Sequence, residues 1–390
     1  MNEVQTADAI LEACREQEAW FVNTLETLIS METPPHRPQL HRRLLEYLAS
    51  ELEKLNYRTV HFPGDKSGGQ LLARRPRGSD SGYQMMLGHI DTVWPEGTLQ
   101  KMPFERDEHS VAGPGSYDMK AGVTMMLTAL RVLRDLRLTP EIQPVLFLNS
   151  DEETGSRDSK SRIRLLARVM KRVYVLEPSL GEEGRIKTRR KGVAHYDIRV
   201  TGKSSHAGLE PEKGRSAILE LSYLIQKLFE LNDPENGITV NVGKIDGGIS
   251  TNVVAPESSA DVDVRVLTKK DARKVEQKIK NLTASTEGVT VEVTGGFGRE
   301  PMTKNRRNSR LWSKAKACAE LLDLDLHEGT SGGASDGNLT SQYTATLDGL
   351  GAVGEGAHSP NEKIYLDDTL RRTALLTLLL LLPDLAEPAT

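Results

Sequence analysis

Three short apolar runs, each ending in polar titratable residues, limit what this chain of 390 residues can fold into. Residues 84–88 lead into His89 and Asp91, residues 145–149 into Asp151-Glu152-Glu153, and residues 173–176 into Glu177-Pro178. Apolar runs this short, bounded by turn signals, read as buried strands. A helical pattern lies between them at 121–135. Strands alternating with helices describe an open α/β sheet, and ligands bind such sheets outside the carboxyl ends of the strands.

The rest of the chain fits around that core. Residues 9–30 and 39–55 carry helical apolar spacing and are separated by Pro34, Pro35 and Pro38. The middle changes character: strand 193–200, helix 214–231, strands 238–245 and 260–267, helix 269–285 and strand 289–294. This β-α-β-β-α-β order is the ferredoxin-like unit. After Gly295-Gly296 the α/β pattern resumes, with a helix at 309–322, a Gly-rich stretch at 329–338 and a buried C-terminal helix around 375–382. The expected fold class is therefore an α/β sheet-based catalytic domain, in segments 1–191 and 297–390. It is interrupted by an inserted ferredoxin-like α+β domain at 192–296.

Composition narrows the function. Lys and Arg number 51 against 55 Asp and Glu, and no long basic run exists, which argues against a nucleic-acid partner. The densest basic stretch, 187–191, reads as a solvated hinge or strand edge. The two cysteines, Cys14 and Cys318, make no disulfide framework and fit a reducing compartment. Residues 1–18 are charged and helical, unlike a signal peptide, and the apolar run at 375–382 is far shorter than the roughly 20 residues that span a bilayer. A cytoplasmic protein with no membrane partner is expected. Aromatics are only 5% of residues, so aliphatic side chains must do most of the packing.

Five segments carry chemistry. In His89-Ile90-Asp91 the i and i+2 side chains of a strand share a face, so a carboxylate can orient an imidazole. Gly113-Pro114-Gly115-Ser116-Tyr117-Asp118 is a rigid turn that delivers one carboxylate to a helix start; it completes no phosphate-loop pattern. Asp151-Glu152-Glu153 crowds carboxylates that repel unless a cation neutralises them. Glu177 closes a strand, and Gly354 to Glu362 sets His358 in a small-residue loop. Taken singly these read as surface turns or an acidic helix start. Together, His89, Asp118, Glu153, Glu177 and His358 make the ligand set of two zinc-like ions sharing a carboxylate, with a further carboxylate left as base. Two histidines favour zinc, cobalt or manganese over magnesium or calcium. A competing pattern, Gly329-Thr330-Ser331-Gly332-Gly333, matches a serine-hydrolase elbow, with Asp348 and His358 following in triad order. Its glycines suit an immediate helix poorly.

These motifs resemble the co-catalytic zinc peptidases of the glutamate carboxypeptidase, aminoacylase and succinyl-diaminopimelate desuccinylase superfamily, and most resemble its glutamate carboxypeptidase branch. The resemblance covers essentially the whole chain. It implies that His89 is a ligand oriented by Asp91, and that Asp118 is the bridging ligand followed by a cis peptide bond. It makes Glu152 the general base, and Glu153, Glu177 and His358 the remaining ligands. In the inserted domain, Ser205-His206-Ala207-Gly208 resembles the motif whose His reaches a partner protomer's active site and stabilises the oxyanion. Asn252 and Arg299 resemble substrate-binding positions, and Gly333 lies in a segment like the family's pocket-lining Gly-rich loop. Ala121 stands where Gly is common, a departure expected to have only a local packing effect.

The function so implied is metal-dependent hydrolysis of an amide or peptide bond next to a free carboxylate. Two divalent ions would activate a water for which Glu152 is the base. A small peptide or N-acyl-amino acid would be the substrate, in a homodimer built through the inserted domain, which would close by a hinge near 188–192 and 295–299. Dipeptidase and N-acyl-amino-acid deacylase are the rivals within this chemistry. An inactive metal-binding homologue and a hydrolase using Ser331 are the rivals outside it.

Overall fold

A computed structural model describes residues 2–76, 78 and 80–385. The chain forms two compact units, one of residues Met1–Thr188, Lys304–Thr330 and Ser335–Thr390, the other of Arg189–Thr303 and Ser331–Ala334.

The first unit is built on a six-stranded sheet. Its order is Arg58–Phe62, Gln70–Arg74, Gln143–Asn149, Tyr83–His89, Met170–Val175 and Ala345–Leu347. The last four run parallel, and the first two form an antiparallel hairpin along one edge. Side chains alternate across the strands. Met85, Leu87, Val145, Phe147, Val173 and Val175 face one core with Ile163 and Leu339. Met86, Leu146, Leu148 and Tyr174 face the larger core, filled from helices Pro38–Lys54, Ala121–Asp135, Arg306–Glu320 and Leu366–Leu381. Sheet faces covered by helices explain why these strands read as unbroken apolar runs.

Helix Ala121–Asp135 is buried on nearly all sides. Its Gly122 passes so close to the sheet that a Cβ there would lie 2.1 Å from the Leu176 carbonyl oxygen, whereas Ala121 is accommodated with its side chain fully buried. The C-terminal helix Leu366–Leu381 is likewise a core element. Thr373 and Thr377 satisfy their hydroxyls on the carbonyls four residues back, at 2.9 and 2.8 Å. Buried Arg172 donates to the carbonyls of Leu382 and Pro383 beyond the helix end, at 2.5 and 2.8 Å. Among the described residues, no helix is long and apolar enough to cross a membrane.

The basic run at 187–191 lies at a strand edge, one of the two forms expected, but most of it is not solvated. It lies mostly in strand Ile186–Arg190, where Lys187, Thr188 and Arg190 are buried. The aliphatic stem of Lys187 covers Gly349, which keeps the charge at the end of a packed chain.

The second unit has the order β-α-β-β-α-β, with antiparallel strands arranged Thr239–Gly247, Glu257–Val266, Gly192–Thr201, Thr290–Arg299. Numbered along the chain the order is 2-3-1-4, the ferredoxin-like arrangement. Ala194, Tyr196, Ile198 and Val200 alternate inward against Leu221, Leu224 and Leu228 of helix Ala217–Phe229 and Val275 and Ile279 of helix Lys269–Lys280. The last strand does not stop at Gly295-Gly296 but runs through them to Arg299. Both glycines have positive φ, 104° and 153°, and a Cβ on Gly295 would sit 2.1 Å from the His195 carbonyl oxygen. Read as a breaker, the pair is instead a place where two strands come unusually close.

Candidate metal centre

Three neighbouring parallel strands of the first unit end at the same edge, and each hands on part of one cluster. His89 is the last residue of Tyr83–His89. Glu152 and Glu153 follow Gln143–Asn149, and Glu177 follows Met170–Val175. The His89 ring is fixed by its Nδ1, which lies 2.9 Å from the main-chain oxygen of Asp91 and 3.6 Å from that residue's carboxylate. Nδ1 therefore carries a proton, and Nε2 is the ring atom turned toward the cluster. The Asp91 carboxylate is closer to other donors. It accepts the backbone N–H of Glu152 at 3.2 Å and of Glu153 at 2.9 Å.

Asp118 sits in a kinked turn, and its bond to Met119 is cis. Its two oxygens divide: Oδ1 lies 3.2 Å from His89 Nε2, and Oδ2 lies 3.4 Å from His358 Nε2. Glu177 Oε1 is 3.4 Å from the same nitrogen of His89, and Glu153 Oε1 is 3.2 Å from His358 Nε2. Two imidazole nitrogens thus each face a private carboxylate and share a third. Glu152 lies within this cluster, with an oxygen inside 4.8 Å of ligand atoms of His89 and Glu177. His358 reaches the cluster from a left-handed backbone, φ 60°, after Gly356 at φ 78°.

The electrostatics follow from burying this many carboxylates together. Burial, with the nearby Asp118 charge, pushes Glu153 up to about 7, although the His358 hydrogen bond opposes the rise. Hydrogen bonds donated to the Asp118 and Glu153 carboxylates raise the pKa of the His358 imidazole to about 10. Burial alone would lower His89, but Asp118, Asp91 and Glu177 outweigh it and raise its pKa well above the usual value. Burial would raise Asp118, yet His358 and His89 hold it far below the carboxylate range. A mixed set of imidazole nitrogens and carboxylate oxygens, buried or partly buried except for the exposed His358, draws in positive charge and fits a zinc-like divalent ion.

Further residues hold the turn that carries Glu152 and Glu153. Asn149 donates from Nδ2 to Asp336 Oδ2 at 2.7 Å and to Ser159 Oγ at 2.9 Å. The Ser156 hydroxyl bonds the other oxygen of Asp336. Asp151 Oδ2 accepts the N–H groups of Asp158 and Ser159 at 2.7 and 3.2 Å. One carboxylate thus ties down both ends of the turn. Sequence reasoning saw the Gly332–Asp336 stretch only as pocket lining; the signal for Asp336 was its place at the start of a helix capped by Ser335.

Four other expected site residues lie in the second unit. His206 is exposed, and its Nδ1 accepts the N–H groups of Gly208 and Leu209 at 3.1 and 3.2 Å, which leaves the proton on Nε2. Asn252 is beside it, its main-chain oxygen 2.9 Å from the Ala207 nitrogen, and Ser250 bonds its side chain at 2.7 Å. Arg299 ends its strand opposite Val193. Gly333 donates to Ser331 Oγ at 3.2 Å and accepts from Arg190 at 3.3 Å. The serine-hydrolase pattern is not assembled as a relay: Ser335 bonds Asp348 at 2.5 Å, while His358 Nε2 faces Glu153 and Asp118.

The comparisons agree with a metal-centred reading. Carboxypeptidase G2 of Pseudomonas sp. is 25% identical over 370 residues, 92% of this chain and 88% of that protein. Among solved structures, aminopeptidase PepT of Bacillus cereus matches with a TM-score of 0.75 at 22% identity, over 93% of this chain and 98% of its own. An M20 family metallo-carboxypeptidase of Sulfolobus solfataricus matches with a TM-score of 0.74 at 16% identity, over 94% and 99%. The model of the family described as Peptidase family M20/M25/M40 matches residues 85–382, a span that holds every residue of the cluster. The chain accordingly belongs to peptidase family M20/M25/M40 and is a metallo-hydrolase.

Proposed function

We propose that the protein is a two-metal exopeptidase or amidohydrolase that cleaves an amide bond next to a free carboxylate. The observation that carries this is the division of Asp118 between His89 and His358, each with its own second carboxylate. His89 and Glu177 would hold one ion, His358 and Glu153 the other, and Asp118 would bridge them. Zinc suits the donor set, as do cobalt and manganese. When bound, such ions polarise the substrate carbonyl and acidify the attacking water.

The chain's own groups do the rest. Glu152 takes the proton of the attacking water and returns it to the leaving amine. His206 of a second protomer, protonated on Nε2, donates to the developing oxyanion. Arg299 clamps the substrate carboxylate, since its planar fork matches that group. Asn252 binds the amide, and Gly333 lines the pocket. The carboxypeptidase assignment draws on Carboxypeptidase G2 among the relatives. Dipeptides and N-acyl-amino acids are alternative substrates of the same machinery.

The homodimer is proposed through the second unit, with the inserted domain also acting as a lid. Support comes from Ile218, Leu219 and Tyr223, exposed on helix Ala217–Phe229, and Ile245, exposed on the edge strand of that unit's sheet. Exposed apolar side chains beside an open strand edge suit pairing with another copy. A cytoplasmic location is proposed from the two cysteines, both free and buried.

The test is the metal content of the protein as purified, with hydrolysis of N-acyl-glutamates and dipeptides before and after chelation. About two ions per chain, and activity lost to chelator and restored by zinc or cobalt, are expected. Activity indifferent to chelation would overturn the proposal.

A further inference from the structure

Glu362 closes the loop that begins at His358, and no step of the proposed chemistry uses it. It is 1% exposed. Its carboxylate is nevertheless fully engaged. Oε1 accepts the backbone N–H groups of Tyr117 at 3.0 Å and Asp118 at 2.9 Å. Oε2 accepts the N–H of Gly115 and the indole N–H of Trp94, both at 2.9 Å. The main-chain oxygen of Glu362 also receives the Gly113 N–H and the Ser116 hydroxyl, each at 3.3 Å. One residue of the His358 loop thus gathers most of the turn that presents Asp118, together with Trp94, five residues beyond His89.

The shape of that turn needs an anion at its centre. Gly113 and Gly115 have φ of 149° and 74°, which bends successive N–H groups inward. A side chain on Gly115 would meet Thr92 at 2.5 Å. Converging N–H groups form a concave site for negative charge. Here the charge is supplied from within the chain, and it comes from the segment that also supplies His358. The turn of Asp118 and the loop of His358 are therefore tied together through one residue, chiefly its carboxylate.

We infer that Glu362 is the positioning residue that fixes the bridging carboxylate Asp118 relative to His358, and so sets the affinity with which the site would hold its metal ions. The inference rests on the reading of His89, Asp118, Glu153, Glu177 and His358 as ligands. Glutamine is the informative replacement. It keeps the size of Glu362 but turns one oxygen into an NH2 group that must face two N–H donors. No rotamer can satisfy all four.

The test titrates Co(II) into chelated protein, followed by calorimetry and visible absorption, alongside melting of the chelated protein. For Glu362→Gln the affinity of at least one ion should fall about 10- to 100-fold, the range seen when groups that orient ligands are removed. The absorption of the two-ion form should change. Trp94→Phe removes one of the four donors and should shift affinity in the same direction by less. It keeps the inference testable should Glu362→Gln not fold. Glu220→Gln is the control. This buried Glu also accepts two backbone N–H groups, of Ser285 at 2.7 Å and Thr286 at 2.8 Å, but in the second unit. It should lower the melting temperature and leave Co(II) affinity unchanged. If Glu362→Gln binds Co(II) as the wild type does and only melts lower, Glu362 is structural and the inference is overturned. The same holds if Trp94→Phe alone folds and its affinity and spectrum are those of wild type. If the wild-type chain itself binds no Co(II), the ligand reading has failed instead.

Discussion

Asp91 and Glu153 are joined by a hydrogen bond of 2.9 Å from the Glu153 backbone N–H to Asp91 Oδ2, and Oδ1 takes the N–H of Glu152. Asp91 therefore works on two fronts, since its main-chain oxygen holds His89 Nδ1. Asp91→Asn leaves the main-chain contact intact but presents an NH2 group to one of the two N–H donors. The expected result is a kcat lower by roughly 10- to 100-fold, with metal content close to two per chain. Loss of metal with kcat per bound ion preserved would show that the carboxylate serves His89 alone.

Glu152→Gln removes the proposed base and keeps its size. Turnover should fall by at least about 100-fold, the lower range for loss of a positioned base, while both ions remain bound. Metal analysis and steady-state kinetics on the same preparation check this; ordinary turnover would end the assignment.

Chelation should cost stability as well as activity. A divalent ion present at 100 times its Kd adds about 2.7 kcal/mol to the folded state for each site it fills, provided it binds only that state. Chelated protein should melt several degrees lower and recover with zinc. Identical melting curves would mean that the carboxylate cluster does not bind metal.

A pH effect is expected from His41, which is not one of the cluster's side chains although the Asp91 charge acts on it. Buried His41 donates from Nε2 to the Pro34 carbonyl at 2.8 Å, and burial lowers its pKa against the opposing pull of Pro34 and Asp91. The unfolded chain thus holds the extra proton between the lowered value and about 6.5. Stability rises with pH across that window and is lost as pH falls through it. His41→Gln can keep the bond to Pro34 without titrating. Its melting temperature should fall less than that of wild type between pH 7.5 and pH 5.5; equal falls would exclude His41 as a source.

Gly122→Ala sets a methyl group against the Leu176 carbonyl, one residue before Glu177, and no side-chain rotation can relieve a backbone clash. A loss of about 1–3 kcal/mol is expected in urea unfolding. Ala121→Gly removes a buried methyl without creating a clash and should cost about 1–2 kcal/mol, from helix propensity and lost burial. A Gly122→Ala variant as stable as the wild type would mean that the helix can shift away from the sheet.

Legibility in the sequence tracked chemistry and burial. Strand Tyr83–His89 was plain because both its faces are covered, and the six residues of the cluster were named because imidazoles and carboxylates just after buried strands or in tight small-residue turns are conspicuous. The hairpin Arg58–Phe62 and Gln70–Arg74 was missed. Its outer strand is largely exposed, so it shows no apolar run. Arg190 looked like surface because charge was read without the carbonyl it would meet. Asp336 and Glu362 were invisible as positioning residues for a related reason. Their partners are backbone N–H groups and small hydroxyls or amides, often far away in the chain, and no local pattern records them.

The parallel strands ending at the cluster have one more consequence. Adjacent strands stand about 4.8 Å apart because their hydrogen bonds demand it. Paired catalytic ions stand about 3.5–4 Å apart. The sheet thus acts as a fixed ruler for the segments that carry His89, Glu153 and Glu177, while Asp118 and His358 are set from turns outside it. Loops remote from those strand ends can then be rewritten to admit a new substrate while the ruler keeps its graduation.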